Sequence, residues 1–157
     1  MLFSLLAEHP EAVDTVATWY FNQWGYQNPE ESIDTVRHEV ARYDSRDSAP
    51  MIVLVYSAGE LVGAAELKRH EMPMFPQFEY WIGGVYVEAA SRGNGIAKQL
   101  VRHVMERARQ ANIAELYLQT EALRGGIYSE LGFKPVERVA SKGKPVLVMR
   151  AGLQVSN

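Results

Sequence analysis

The chain has 157 residues, 47% of them hydrophobic and 22% charged, which gives one globular domain room for a substantial core and leaves no composition for a long disordered tract. A formal net charge of −3 excludes the global basic field that draws a protein to nucleic acid or anionic lipid, and zero cysteines exclude a disulfide framework, a thiolate nucleophile and a thiolate metal site. Met1 to Pro10 has no basic leader and no apolar run approaches membrane-spanning length, so the expectation is one cytoplasmic domain over residues 1–157 that binds neither membrane nor nucleic acid.

Along the chain, a short strand at Phe3 to Leu6 precedes an amphipathic helix from Pro10 to Trp24, with Val13, Val16, Ala17, Tyr20, Phe21 and Trp24 at helical spacing. Asn28, Pro29 and Glu31 read as the cap, first position and capping box of a second helix with the stripe Ile33, Val36 and Val40. Met51 to Tyr56 is a continuous β-branched run, as in a strand covered on both faces; Ala58-Gly59 turns it into a second strand from Leu61 to Lys68. A third strand, Phe78 to Val87, is interrupted by Gly83-Gly84, the mark of a bulge or a close approach. The clearest helix runs from Asn94 to Ala111, followed by a strand at Ile113 to Thr120 and a short helix at Ile127 to Leu131 that Gly132 ends. Strands Phe133 to Val139 and Pro145 to Met149, joined by Ser141-Lys142-Gly143-Lys144, complete an α/β sandwich with a mixed sheet.

The stretch Val85 to Ala97 ends a strand, makes a glycine-rich turn and opens a helix, so that backbone N–H groups around Gly93 and Gly95 and the helix dipole could hold an anion such as a pyrophosphate. The turn lacks the Gly-Lys-Ser/Thr of a P-loop and the G-x-G-x-x-G of a dinucleotide fold. Arg92-x-x-Gly95-x-Ala97 matches the acetyl-CoA signature of the GNAT superfamily of N-acetyltransferases, and Tyr128-Ser129-Glu130-Leu131-Gly132-Phe133 resembles its second block, a tyrosine followed by Leu-Gly-Phe. Both lie in the family's order of elements, and the resemblance covers Met51 to Met149.

That resemblance implies a GNAT-type acyl-CoA N-acyltransferase fold, a mostly antiparallel central sheet with helices on both faces, and acetyl-CoA as co-substrate without a metal. It places the pyrophosphate on the amides of Arg92, Gly93, Asn94, Gly95, Ile96 and Ala97, and the pantetheine arm along the backbone of Val85 and Val87, in a gap that the Gly83-Gly84 bulge opens. It gives Tyr128 the role of donating a proton, or a hydrogen bond, to the departing thiolate, and it implies a transferase whose relatives often form homodimers. The plainer alternatives are a core tyrosine packed on Phe133, a solvated Arg92 and a merely structural glycine pair. Two glycines, Gly125-Gly126, stand where the family's short helix begins, which leaves the placement of Tyr128 to be tested.

An amine of pKa roughly 10 must lose a proton before it can attack, so a base is needed. Glu79, on the strand leading to Gly83-Gly84, is the nominee; Glu66, Glu88 and Glu121 are less suggestively positioned. Trp24, Tyr26 and Tyr80 are candidates for the acceptor wall, Val85 N–H for carbonyl stabilisation. His70 and His103 are isolated, and no histidine pair has metal-ligand spacing. The expected reaction is direct attack of a small amine or peptide N-terminus in a ternary complex; the alternative is a non-catalytic acyl-CoA-binding module of the same fold.

Overall fold

The computed structural model describes residues 1–25 and 28–154. Its elements are β1 (Leu2–Leu5), α1 (Val13–Trp24), α2 (Ile33–Ala41), β2 (Met51–Ser57), β3 (Glu60–Arg69), β4 (Tyr80–Val87), α3 (Ile96–Gln110), β5 (Glu115–Thr120), α4 (Ile127–Glu130), β6 (Lys134–Ser141) and β7 (Lys144–Gly152). The strands form one seven-stranded sheet in the order β1-β2-β3-β4-β5-β7-β6, antiparallel at every joint except β4–β5.

The apolar run of β2 is buried from Met51 to Val55 because alternate side chains enter cores on opposite faces of the sheet. Met51, Val53 and Val55 pack with Leu100, Val101, Val104 and Ala108 of α3, while Ile52 and Leu54 pack with Val16, Ala17 and Tyr20 of α1 and Val36 and Val40 of α2. Past β4, the second face is covered differently. Met72 and Phe75, from the proline loop after β3, lie with Trp81, Tyr117, Val146 and Val148, and Phe78 stacks on Tyr117 with centroids 4.0 Å apart. Helices and loop thus cover two halves of one face, and the seam between them falls at β4–β5.

The elements follow the predicted order and start within three residues of the expected positions, except α2, which starts at Ile33 rather than Pro29. The cap of α2 is Ser32, not Asn28: Ser32 Oγ accepts from Thr35 N–H at 3.2 Å and Thr35 Oγ1 accepts from Ser32 N–H at 2.9 Å, a reciprocal box closed by threonine in place of glutamate. Asn28 instead accepts from Glu30 N–H at 3.1 Å and closes a turn before the helix.

Candidate active site

The sheet is opened by one extra residue. Ala64 faces Tyr86 and Glu66 faces Gly83, so two steps on β3 span three on β4, and the surplus bulges at Gly84-Val85. Gly84 takes φ +53°, and a Cβ there would meet the Glu66 Cδ and the Tyr20 hydroxyl each at 2.7 Å. The Tyr20 hydroxyl donates to Gly84 O at 2.7 Å, tying α1 to the bulge across 64 residues of sequence. Beyond the bulge the strands part: β4 and β5 pair only at Trp81 opposite Tyr117 among the described residues.

Strand alternation shows which backbone groups face that gap. Glu88 N–H donates to Val62 O at 2.9 Å, so the N–H and C=O of Tyr86 also point to β3, and those of Val85 and Val87 point the other way. Val85 therefore offers an open strand edge toward β5, while Val87 O accepts from Arg92 Nε at 2.7 Å.

A cavity of about 410 Å³ fills the seam, lined by Tyr20 and Trp24 of α1, Val36 and Glu39 of α2, Gly83 to Val85 of β4, Leu118 to Thr120 of β5, and Tyr128. Glu66 reaches it from β3, buried to 8% exposure inside the otherwise apolar run Val62 to Leu67. Burial pushes its carboxyl up to about 7; Lys68 pulls the other way, and the carboxylates of Glu71 and Glu39 add to the rise. The Lys68 ammonium lies 2.9 Å from Glu71 and 3.8 Å from Glu66, and these anions outweigh its own desolvation and hold it well above the usual lysine range. At neutral pH Glu66 thus stands near its midpoint.

Tyr128 enters the cavity from α4. The two glycines ahead of it do not delay the helix, which starts at Ile127; a Cβ on Gly125 would collide with Ser129 Oγ, so a glycine is needed for the chain to enter that turn. Tyr128 packs edge-on against Phe133 at 6.1 Å, burial raises its hydroxyl above the ordinary value, and that hydroxyl has no hydrogen-bond partner among the described residues. Packing on Phe133 and a free phenol are both present.

At the other end of the gap, Gly93 and Gly95 hold φ +86° and +74° at exposed positions where a Cβ would meet nothing within 4 Å, so backbone conformation rather than space selects glycine. No side chain caps α3, whose first acceptor is Gly95 O, 3.2 Å from Gln99 N–H. The N–H groups of Ile96, Ala97 and Lys98 therefore lack intrahelical partners, and the first turn has no acidic residue to oppose an anion. Asn94 Nδ2 donates to Ser91 O at 3.1 Å and shapes the loop. The Arg92 side chain turns back onto Val87 O and over the Tyr86 ring, 5.3 Å from its centroid, leaving its backbone as the part available to the turn.

Of the residues singled out in the sequence, the structure brings Trp24, Glu66, Gly83-Gly84, Val85, Glu121 and Tyr128 into one cavity and places Arg92 to Ala97 at the helix start beyond it. It does not bring Glu79 or Tyr80 there. Glu79 is half exposed beside Arg69 at 3.7 Å, four residues or roughly 13 Å along the strand from Gly83, and Tyr80 lies under the Arg69 guanidinium at 5.4 Å. Glu88 accepts from Ser91 Oγ at 3.2 Å and Glu121 pairs with Lys144 at 3.5 Å. Tyr26 lies outside the described residues. The sequence reading ranked Glu66 behind Glu79 and passed over Tyr20. A single charge in an apolar strand was the available signal for Glu66; Tyr20 sits on an apolar helical stripe and carried none.

A mixed sheet splayed at a bulge, with an uncapped helix N-terminus at one end of the gap, defines an acyl-CoA N-acyltransferase type of fold. The Acetyltransferase (GNAT) family model matches residues 13–133, and the chain belongs to that family. N-acetyltransferase 8F1 of Mus musculus is 32% identical over 81 residues, 50% of this chain and 36% of that relative, so the match spans little more than a third of the curated protein. Among solved structures, an aminoglycoside 6'-N-acetyltransferase complexed with coenzyme A superposes with a TM-score of 0.76 at 17% identity, covering 100% of this chain and 99% of that one. A ribosomal-protein-alanine N-acetyltransferase from Brucella melitensis superposes with a TM-score of 0.75 at 20% identity, covering 98% of this chain and 100% of the other. Among the described residues no group of histidine or acidic side chains could hold a metal ion, and no helix is long and apolar enough to cross a membrane.

Proposed function

We propose that the protein is an acetyl-CoA-dependent N-acetyltransferase that acts by direct attack in a ternary complex, on a small amine or a peptide N-terminus. The observation that carries this reading is Glu66, a buried carboxyl with its pKa near 7 that shares a cavity with the Tyr128 hydroxyl at the point where the sheet opens. Bound acetyl-CoA would supply an activated acyl carbon and a thiolate leaving group. The residues present fit it: three unpartnered amides at the start of α3 suit a pyrophosphate, and the outward backbone edge of Val85 suits an amide-bearing arm.

Glu66 takes the proton that the attacking nitrogen must shed as the N–C bond forms. Val85 N–H, turned into the gap by the bulge, donates to the carbonyl oxygen as negative charge grows there. Tyr128 donates its phenolic proton to sulfur as the C–S bond breaks, and water returns that proton to the phenolate. The coenzyme A complex of one structural relative and the acceptors named for others, aminoglycosides and a protein alanine, support the reaction class and bracket the acceptor. We read the setting as cytoplasmic, in keeping with a chain that carries no cysteine.

Release of free thiol from acetyl-CoA across a panel of amines tests the proposal. Turnover with at least one amine is expected. Binding of coenzyme A by calorimetry with no turnover across small amines and peptides would replace it with the non-catalytic acyl-CoA-binding reading.

A further inference from the structure

Tyr20 carries one polar atom on the apolar stripe of α1, and that atom reaches the bulge in β4. Its ring is buried in the cluster that holds Val16, Ala17, Val36 and Val40, with the Trp24 ring tilted beside it at 5.4 Å, so helix packing fixes where the phenol ends. The hydroxyl donates to Gly84 O at 2.7 Å, and a Cβ on Gly84 would meet that same hydroxyl at 2.7 Å. Glu66 Cδ crowds the same point at 2.7 Å, yet the hydroxyl donates to the carbonyl and not to the carboxylate. Burial, and after it the nearby Glu66 carboxylate, push the Tyr20 hydroxyl well above its ordinary range, so it stays a donor while Glu66 ionises.

Gly84 O and Val85 N–H belong to one peptide group. That group is planar and trans, so its C=O and N–H bonds point in opposite directions, and a grip on the oxygen fixes the aim of the N–H. The same hydrogen bond draws electron density toward the oxygen and makes the N–H a better donor. Glycine at 84, with φ +53°, has the freest backbone of any residue, so the orientation of this peptide has to be imposed by a neighbour. We propose that Tyr20 is a positioning residue for acetyl transfer: by holding Gly84 O it aims Val85 N–H at the thioester carbonyl oxygen. This inference rests on the acetyltransferase reading and on the role given there to Val85. Tyr20 acts through the peptide and transfers no proton.

Tyr20→Phe keeps the ring and removes the bond. Wild type and variant are compared by steady-state kinetics with the fastest amine of the panel, by calorimetric binding of coenzyme A, and by the infrared carbonyl band of bound, isotope-labelled acetyl-CoA. In the variant kcat should fall about 10–100-fold, with KM for acetyl-CoA and the affinity for coenzyme A kept within about twofold. The carbonyl band should lie below its free-solution frequency in the wild type and move back toward it in the variant, which a loss of packing alone would not produce. The rising limb of rate near pH 7 should stay, because burial, Lys68, Glu71 and Glu39 set it. As a control, Tyr43→Phe removes a second buried hydroxyl of the same cluster, one that bonds no described residue, and should leave every readout unchanged. An unaltered kcat, an unaltered carbonyl band or a variant that no longer binds coenzyme A overturns the inference, since the bond then serves only packing. A limb that moves in the variant makes Tyr20 a partner of Glu66 and overturns it too. Each of those outcomes leaves acetyl transfer by the wild type standing. A wild type that binds coenzyme A but releases thiol with no amine removes the transfer reading and this inference together.

Discussion

The two ends of the gap are built in opposite ways. The turn from Arg92 to Ala97, the proposed pyrophosphate site, is one contiguous segment, and its left-handed glycines and following helix are local properties of a few successive residues. The cavity end draws Tyr20 from α1, Glu39 from α2, Glu66 from β3, Gly84 from β4 and Tyr128 from α4, side chains and backbone that meet only after the sheet has formed. Backbone chemistry at one end and assembled side-chain chemistry at the other imply different sensitivities. Substitutions at the assembled end should act on the chemical step, and those at the turn on affinity for acetyl-CoA.

The largest effect is expected at Glu66. Glu66→Gln keeps shape and polarity but cannot take a proton, and should lower kcat about 10²–10⁴-fold with little change in KM for acetyl-CoA. The wild-type rate should rise with pH through about 7, where the buried carboxyl ionises, and the variant should lose that limb. Stability runs in the opposite sense. Because the folded state holds the Glu66 proton more tightly than the unfolded chain does, the contribution is fully present below the unfolded value of 4.5 and is lost as pH rises through about 7. Denaturant unfolding at pH 5 and pH 8 should show the wild type losing up to about 3 kcal/mol more than Glu66→Gln between those conditions. A rate profile unaltered by the substitution would move the base elsewhere.

This contrast also explains what was legible in the sequence. The fold was, down to the bulge, because β2 has an unbroken buried run, α3 a clean apolar stripe, and Gly83-Gly84 interrupt a strand that otherwise has no reason for them. The turn was legible for the same local reason. Which carboxylate lies in the cavity was not: the nomination of Glu79 relied on closeness in sequence to the glycine pair, whereas register across the sheet places Glu66 opposite Gly83. The start of α2 went to Asn28 because Thr35 was not weighed as the reciprocal partner of Ser32.

Next in size is Tyr128→Phe, which keeps the edge-on packing against Phe133 and removes only the phenol. A fall in kcat of about 10²-fold is expected. Burial raises the Tyr128 hydroxyl above its ordinary value of 10.0, so it stays protonated through the working range, and its loss of a proton should appear as a falling limb above that value. That limb should be absent from the phenylalanine variant. An unchanged kcat across pH would leave Tyr128 a packing residue only.

The turn should respond more mildly and in another parameter. Gly95→Ala forces an alanine to φ +74°, which costs about 1–2 kcal/mol although a Cβ there meets no protein atom within 4 Å. KM for acetyl-CoA should rise about tenfold as the amides of Ile96 and Ala97 shift, with kcat largely kept. If kcat collapses and KM holds, the turn belongs to the chemistry and the division between the two ends fails.

The smallest effect is expected at Glu79, and it sharpens the comparison most. Glu66 on β3 lies opposite the bulge and Glu79 just before the start of β4, and they differ in what surrounds them. Glu79 is half exposed, its partner Arg69 at 3.7 Å is half exposed too, and a solvated pair of that kind contributes about 0–1 kcal/mol. Glu66 is only 8% exposed where it reaches the cavity, and its pKa is raised because Lys68 at 3.8 Å does not make up for the lost hydration. Glu79→Gln should therefore change kcat, KM and the pH profile by less than about twofold and move stability by less than about 1 kcal/mol. A tenfold loss of kcat in that variant would restore Glu79 as the base and would mean that proximity along the strand, rather than register across the sheet, selects the catalytic carboxylate.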